Sequence, residues 1–385
     1  MNVLDPSRLP IVLQKIEEAW ADARANQDTN LVAVAPTLKG LCDNSNVRTP
    51  NLILNKGDRK PEMEIAWKDA CTNSPEILTD RWVRDIPCDF QGWTIGTNKQ
   101  KVAITTIVRD AFAIPYMVYD NLYTTEELFQ DSFMLCIKGI LEKANQLGVA
   151  KLVSYAGVNK YTKGMGTDGG SGANSWKLTK VPRKNMYPQS LNAYTAMIQR
   201  MNKMVSPKMF VGGALEDIET VQGNLEQFKF GNAVVYSDFE NFPSQGLEDD
   251  LFVVARGAVG VLNTYNFPLT SEIKWDAVKP IGADQEMYYA EALPAEYSPN
   301  GRPLVVDITK KFVKREIAQN QYGSLNIDNR CEWAEVYNVE LKLEFTLNPL
   351  ACQDKSTGVV RLRSDETLPM YVSPTQLVQT IAHTA

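Results

Sequence analysis

The sequence of 385 residues predicts an α+β fold, in which one long helix accompanies several long amphipathic strands. The helix pattern covers 124–147, where apolar residues recur at helical spacing. The longest strand pattern covers 333–347, where apolar and polar residues alternate strictly from Tyr337 to Leu347. Strand and helix patterns also alternate within 186–300, which indicates a compact α/β unit. A chain of this length predicts roughly two or three domains.

The composition argues against common kinds of catalysis and metal binding. The chain has one histidine, His383, although histidine is the usual general base near neutral pH. The cysteines form no CxxC pair, which favours reduced, buried thiols over a zinc site. The longest apolar run, Leu251–Leu262, is interrupted by Arg256 and is too short to cross a bilayer. The sequence therefore predicts no metal, no cofactor and no membrane association. The six cysteines are Cys42, Cys71, Cys88, Cys136, Cys331 and Cys352.

Residues 1–50 predict an arm that begins with a helix. Pro10 suits a first helical turn, and a partial apolar stripe runs to about Arg24. The polar stretch that follows contains Pro36 and Gly40, which predicts an extended segment with little core of its own. The stripe consists of Ile11, Ile16, Ala19 and Trp20.

Residues 51–110 predict a projection made of two strands. Apolar and polar residues alternate in Pro61–Lys68 and again in Lys101–Arg109, with loop residues between them. A lone two-stranded ribbon is marginal in water, so this ribbon is expected to lie on a neighbour.

The helix over 124–147 has clear start and stop patterns. Thr124 and Glu127 fit a capping box, and Gly148 fits a stop. A strand is predicted over Lys151–Val158, followed by a glycine-rich loop over 164–172. This loop matches GxGxxG, but it lacks a helix start and the acidic residue that a dinucleotide site requires, so we interpret the match as accidental.

The α/β unit over 186–300 contains five predicted elements, and the sheet pattern returns after it. The helix over 124–147 and the strand that includes Tyr337–Leu347 have similar lengths, roughly 35 Å each. We therefore expect them to pack against each other. Residues 351–385 read as a polar tail in which Leu377, Val378 and Ile381 are the candidates for docking. The five elements are helices Ser190–Met204 and Glu216–Phe228 and strands Met209–Val211, Asn232–Tyr236 and Leu251–Val254.

Charge is divided unevenly along the chain. Lys151–Lys208 holds ten basic residues and one acid, for +9, whereas Met209–Asn300 holds fifteen acids and four bases, for −11. The two segments could face each other within one fold, associate head to tail between subunits, or present a basic loop to nucleic acid. The candidate subunit contacts are Met63, Ile65, Trp67, Lys180, Arg183, Lys184, Glu248, Asp249 and Asp250.

The order of these elements resembles the Hong Kong 97-type fold of major capsid proteins of tailed double-stranded DNA phages. The segment Leu251–Gly260 is also similar to a strand and turn late in that family's A-domain. The resemblance implies five parts along the chain. They are an N-terminal arm (1–50), an extended β-hairpin E-loop (51–110), a peripheral P-domain (111–185 and 301–350), an axial A-domain (186–300) and a C-terminal tail (351–385).

This resemblance implies a structural, non-enzymatic bacteriophage protein. Subunits would assemble in the host cytoplasm into the hexamers and pentamers of an icosahedral virion shell around double-stranded DNA, bound non-specifically. Portal and scaffolding proteins would be partners. Two alternatives stay open: a tail or baseplate protein, or a metal-dependent α/β enzyme that uses Glu248, Asp249 or Asp250.

Overall fold

The chain divides into two units, each built from three separate stretches. Unit 1 consists of Met1–Asp43, Ile104–Gly148 and Val261–Glu344, and unit 2 consists of Asn44–Ala103, Val149–Gly260 and Phe345–Ala385. The computed structural model describes residues 9–25, 34–45, 48–54, 61–69, 96–115, 124–155, 175–178, 207–212, 228–230, 233–238, 240–244, 250–255, 259–273, 286–316, 331–347, 352–353, 360–361 and 378–383.

The secondary structure is mixed helix and sheet. The α-helices are α1 (Leu9–Ala25), α2 (Pro36–Asn44), α3 (Thr125–Tyr155) and α4 (Asn241–Ser244). Short 3₁₀ turns cover Thr270–Glu272 and Pro299–Gly301. The strands are β1 (Arg48–Leu54), β2 (Pro61–Asp69), β3 (Gly96–Ala103), β4 (Thr106–Pro115), β5 (Ser175–Leu178), β6 (Pro207–Gly212), β7 (Phe228–Phe230), β8 (Ala233–Ser237), β9 (Asp250–Ala255), β10 (Val259–Thr264), β11 (Met287–Ala292), β12 (Val305–Glu316), β13 (Cys331–Leu347), β14 (Cys352–Gln353), β15 (Val360–Arg361) and β16 (Val378–His383).

Unit 1 is organised around the long strand β13. This strand pairs with β12, β4 and β10, and β11 extends the sheet beyond β12 to give five strands. The pairs β11–β12, β12–β13 and β13–β4 are antiparallel. Alternate residues of β13 are buried as predicted, because one face of the strand forms the core of the unit. These residues are Tyr337, Val339, Leu341, Leu343 and Phe345.

Helix α3 begins where the sequence predicts and ends later. The amide of Thr124 donates to Glu127 Oε2 at 2.7 Å, and the Glu127 amide donates to Thr124 Oγ1 at 3.2 Å, so the predicted capping box is confirmed. The predicted stop at Gly148 and the predicted strand over Lys151–Val158 are wrong, because the helix continues to Tyr155. Val149 and Leu152 extend its buried stripe, and this burial outweighs the cost of a helical glycine, about 1 kcal/mol.

The N-terminal segment contains more helix and more core than predicted. Helix α1 is confirmed, but Ile11 is 56% exposed while Val12, Leu13 and Ile16 are buried. The expected extended segment is instead α2, which begins at Pro36, the first helical position that proline favours. Its buried face, with Ala35 just before it, makes it part of the core. The fully buried apolar residues here are Ala35, Leu38, Leu41 and Cys42.

Unit 2 contains the predicted β-ribbon in a modified form. Strands β2 and β3 pair antiparallel as expected, with Met63 opposite Val102. The predicted two-stranded ribbon is corrected to three strands, because β1 pairs with the other edge of β2. The predicted strand over Lys101–Arg109 is also wrong, because it breaks at Ile104–Thr105 and its second half, β4, pairs with β13.

A second sheet of unit 2 has the order β5–β16–β9–β6–β8–β7. Strands β6, β8 and β9 agree with the strands predicted for 186–300. Within the C-terminal segment, β16 pairs with β5 and β9 and thereby places His383 opposite Leu178. The helix predicted over Ser190–Met204 and the glycine-rich loop over 164–172 lie outside the described residues, as does the helix predicted over Glu216–Phe228 apart from its last residue, which begins β7. Of the helices that the structure describes, none has the length and apolar character needed to cross a membrane.

Candidate functional site

Aromatic rings join helix α3 to the sheet of unit 1. Phe112 of β4 stacks on Tyr337 of β13, with centroids 4.9 Å apart. From the helix, Phe129 meets Tyr337 edge-on at 5.0 Å, and Phe133 meets Phe112 edge-on at 6.4 Å. Such pairs stabilise beyond their buried area, by about 0.5–1.5 kcal/mol each. The predicted packing of the long helix on the long strand is therefore confirmed.

A buried ion pair lies on the same face of the sheet. Lys310 of β12 lies opposite Tyr337, and its Nζ is 2.8 Å from Glu335 Oε1. The two side chains are 3% and 0% exposed. The Tyr337 hydroxyl donates to Glu335 Oε2 at 2.7 Å, and burial together with Glu335 raises the pKa of that phenol. Because isolated charges are costly in a core, these contacts are what make the pair tolerable there.

The opposite face of β13 carries a second polar network. Lys342 Nζ is 2.6 Å from Asp307 Oδ2, and the Asp307 carboxylate also accepts hydrogen bonds from the amides of Asn266 and Phe267. Glu344 accepts hydrogen bonds from the amide and hydroxyl of Thr105. The strict alternation in β13 predicts a solvated face here, which is wrong for three side chains: Lys342, Glu344 and Thr346 are buried. The partners of Lys342 and Glu344 satisfy the buried polar atoms of these two side chains.

A cavity of about 500 Å³ lies in unit 1 between α1, α3 and the end of β11. Helix α1 contributes Leu13, Ile16 and Glu17, and helix α3 contributes Phe133. The end of β11 contributes Glu291, and the remaining lining comes from the segment that leads towards β12. The cavity thus combines apolar walls with two carboxylates. The lining of the segment after Glu291 consists of Ala292, Leu293, Pro294, Ala295, Ser298, Gly301 and Pro303.

Glu291 is the most unusual ionisable group of this cavity. Its half-buried position raises the pKa of the carboxyl from 4.5 to about 7, because burial disfavours the charged form. The Thr270 hydroxyl donates to Glu291 Oε2, which opposes that rise, whereas the nearby charge of Glu17 adds to it. A carboxyl with this pKa exchanges its proton near neutral pH.

The buried thiols agree with the predicted reduced cysteines. Cys42 and Cys136 are free and buried. Burial, with a further contribution from Asp110, raises the pKa of Cys136 to about 12, and burial also raises the pKa of Cys42. Both are therefore protonated and unreactive near neutral pH. Within the described part of the chain, no three His, Cys, Asp or Glu side chains form a group that could hold a metal ion.

The structure locates some of the predicted subunit contacts. Met63 is half-buried and Ile65 is 2% exposed, both in β2, which also contains Trp67. Asp250 is the first residue of β9 and lies opposite Ala382 of β16. These assignments as contacts stay predictions. The remaining candidates, Lys180, Arg183, Lys184, Glu248 and Asp249, lie outside the described residues.

Sequence reasoning missed Lys310, Glu335 and Glu291. Glu335 has the same parity in β13 as Tyr337, so a charged residue at an apolar position was the available indication of a buried ion pair. Glu291 gives no such indication, because its burial depends on α1, which is far away in the sequence.

Comparisons with known proteins give structural likeness only. No family model and no curated protein matches the chain. It is similar to a solved structure from Mycobacterium phage Adephagia, with a TM-score of 0.40, 9% identity and 84% and 85% of the two chains covered. For Mycobacterium phage Bobi the TM-score is 0.38, the identity 11% and the coverage 91% of each chain. For the capsid of cyanophage P-SCSP1u the TM-score is 0.34, the identity is 7%, and the coverage is 84% of this chain and 83% of that chain.

Proposed function

We propose that this chain is a structural subunit of a bacteriophage capsid. The observation that carries the proposal is the packing of the 31-residue helix α3 on the 17-residue strand β13. At standard rises these elements are about 46 Å and about 56 Å long. Ring contacts fasten the helix to the sheet, and buried ion pairs join β12 to β13 within the sheet, which suits a stiff member of a large assembly.

The three-stranded sheet of unit 2 offers surfaces for other subunits. Among the described residues, β1 and β3 each pair with β2, so the outer edge of each strand has no described strand beside it. Open edges are templates for pairing with another chain. A ribbon of this kind is the feature that, in the resemblance, lies across a neighbouring subunit.

In this proposal the protein acts without a catalytic residue, metal or cofactor. Its main partner is itself, in hexamers and pentamers that close into an icosahedral shell. Further partners are a portal protein, a scaffolding protein and the packaged double-stranded DNA, which the shell contacts non-specifically. Subunits assemble in the host cytoplasm and remain in the virion. Many modest contacts per subunit together stabilise such a shell.

Electron microscopy of the purified full chain tests this function. The chain is expressed alone and again with candidate scaffolding proteins, and light scattering follows its mass as concentration rises. We expect rings, capsomers or closed shells. A protein that stays monomeric at high concentration in both preparations contradicts the proposal. Open tubes or sheaths without closed shells would favour the tail or baseplate alternative.

A further inference from the structure

We propose that the cavity between α1, α3 and β11 binds a primary alkylammonium group, with the ammonium at Glu291 and the carbon chain along the apolar walls. This inference goes beyond the capsid function and does not depend on it. Two sources share the chemistry: a free aliphatic amine, and a lysine side chain from a second copy of this chain.

The walls suit an aliphatic chain. Leu13, Ile16, Phe133 and Leu293 line the cavity, and each is no more than 5% exposed. Methylene groups gain free energy when they leave water for such a surface. A cavity of about 500 Å³ is large enough for a short aliphatic ligand.

The charges select a cation. The lining side chains include two carboxylates, Glu17 and Glu291, and among the described lining residues there is no lysine or arginine to neutralise them. An anion would therefore be repelled. A divalent metal ion is also disfavoured, because Ca²⁺ requires about six to eight oxygen ligands and most of these walls are carbon.

The two carboxylates differ in position, which gives the site a direction. Glu291 is half-buried at the end of β11 and already accepts a hydrogen bond from Thr270 at one oxygen. Glu17 is exposed on α1. An ammonium group has three donors and forms charge-assisted hydrogen bonds with a carboxylate. The charged end of the ligand therefore lies at Glu291, and a second amine, if the ligand has one, lies towards Glu17.

Binding is expected to depend on pH through Glu291. Burial raises the pKa of this carboxyl to about 7, so a cation that requires the carboxylate must displace a proton below that pH. The groups that face it are Glu17 from α1, Thr270 from the 3₁₀ turn and Tyr289 on its own strand. Helix α3 and the segment after Glu291 contribute only uncharged lining residues. Affinity should therefore rise between about pH 6 and about pH 8.

Isothermal titration of cadaverine into the purified full chain tests the site. We expect saturable binding at about pH 8, weaker binding at about pH 6, and none for 1-pentanol, which has the same carbon chain without the charge. Glu291→Gln should weaken binding by about tenfold or more, because a charge-assisted hydrogen bond is lost. Glu272→Gln is the matched control, since Glu272 is exposed and does not line the cavity.

A second variant separates loss of the site from loss of the fold. Ile16→Phe fills part of the cavity and keeps Glu291, so it should also weaken binding while circular dichroism stays native. The proposal is overturned if the wild type shows no saturable cadaverine binding, or if Glu291→Gln, folded by circular dichroism, binds as the wild type does.

Sedimentation velocity distinguishes the two sources of the amine. If a lysine of a second copy occupies the cavity, cadaverine and Glu291→Gln both reduce self-association. If a free amine is the occupant, self-association is unchanged while cadaverine binding persists. Either result supports the site. A chain that assembles into shells yet binds no cadaverine would overturn this inference and leave the proposed function in place.

Discussion

Two charged residues, Lys310 and Glu335, are buried in the core face of an antiparallel sheet. They form a 2.8 Å ion pair beside Tyr337, which donates to the same carboxylate. A buried pair gains little net stability over an apolar pair of the same size, but removal of one partner leaves the other charge unpaired. The stability of the folded chain therefore depends on the presence of both side chains.

Lys310→Met should destabilise the protein by about 3–5 kcal/mol, because the Glu335 carboxylate then lies in the core without its cation. The double variant Lys310→Met/Glu335→Gln should recover most of that loss. Urea denaturation measures the free energy of unfolding of each. Lys138→Met is the control, since the Lys138–Glu142 pair is exposed on α3 and should contribute less than about 0.5 kcal/mol. Equal losses for Lys310→Met and Lys138→Met would contradict the prediction.

Glu291 makes stability depend on pH in a defined direction. Its pKa is about 7 in the folded chain and 4.5 as the ordinary value, so between these values the folded state binds more protons. The free energy of unfolding therefore falls as pH rises through this window, by about 1–3 kcal/mol, and the loss is complete above it. Glu291→Gln should remove this dependence. The free energy of unfolding of the wild type and of Glu291→Gln is measured at about pH 4.5 and about pH 8. An equal change between these pH values in both proteins would contradict the prediction.

At the scale of elements, the two ends of helix α3 have different causes: local sequence determines the start, and tertiary packing determines the end. Its start is a reciprocal pair of hydrogen bonds between Thr124 and Glu127, three residues apart, which the sequence displays directly. Its end was mispredicted because Gly148 is a local stop pattern, whereas the burial of Val149 and Leu152 depends on the folded chain. Local rules therefore predicted one end of the helix, and tertiary packing determined the other.

The strands and the cavity also divide into features that local sequence predicts and features that depend on tertiary packing. Period-two alternation located β2 and β13 to within a few residues, because one face of each strand is buried. The break at Ile104–Thr105 was not visible, since the alternation continues through it while the hydrogen-bond partner changes from β2 to β13. The cavity was equally hidden, because α1 and β11 are separated by more than 250 residues of sequence.

Two glycines of unit 1 should respond to alanine in opposite directions. A Cβ at Gly139, inside α3, would lie 3.6 Å from Asp110 Oδ2, an ordinary contact, so Gly139→Ala should stabilise by about 0.5–1 kcal/mol through helix propensity. Gly301 has φ of +74°, so Gly301→Ala should destabilise by about 1 kcal/mol although no atom lies within 4 Å. Thermal unfolding of both variants measures the difference, and a loss of stability in Gly139→Ala would refute the argument for α3.

At the scale of the whole molecule, the uneven charge predicts a contact either within one chain or between neighbouring subunits. The dependence on salt distinguishes the two. The segments Lys151–Lys208 and Met209–Asn300 carry +9 and −11. If they meet between neighbouring subunits, association should weaken as salt rises from about 0.05 M to about 0.5 M, because screening shortens the reach of these charges. If they face each other within one chain, salt should change unfolding more than association.

A charge exchange makes this prediction specific to the proposed contacts. The triple variant Lys180→Glu/Arg183→Glu/Lys184→Glu should reduce association by about tenfold or more at low salt, and so should Glu248→Lys/Asp249→Lys/Asp250→Lys, since each places like charges together. A mixture of the two variants should associate again, because the exchanged charges are complementary between different chains. Sedimentation velocity measures association, and urea denaturation shows whether each variant is folded. The prediction is contradicted if association and folding stability recover only when all six substitutions are in the same chain. That result would place the contact within one chain.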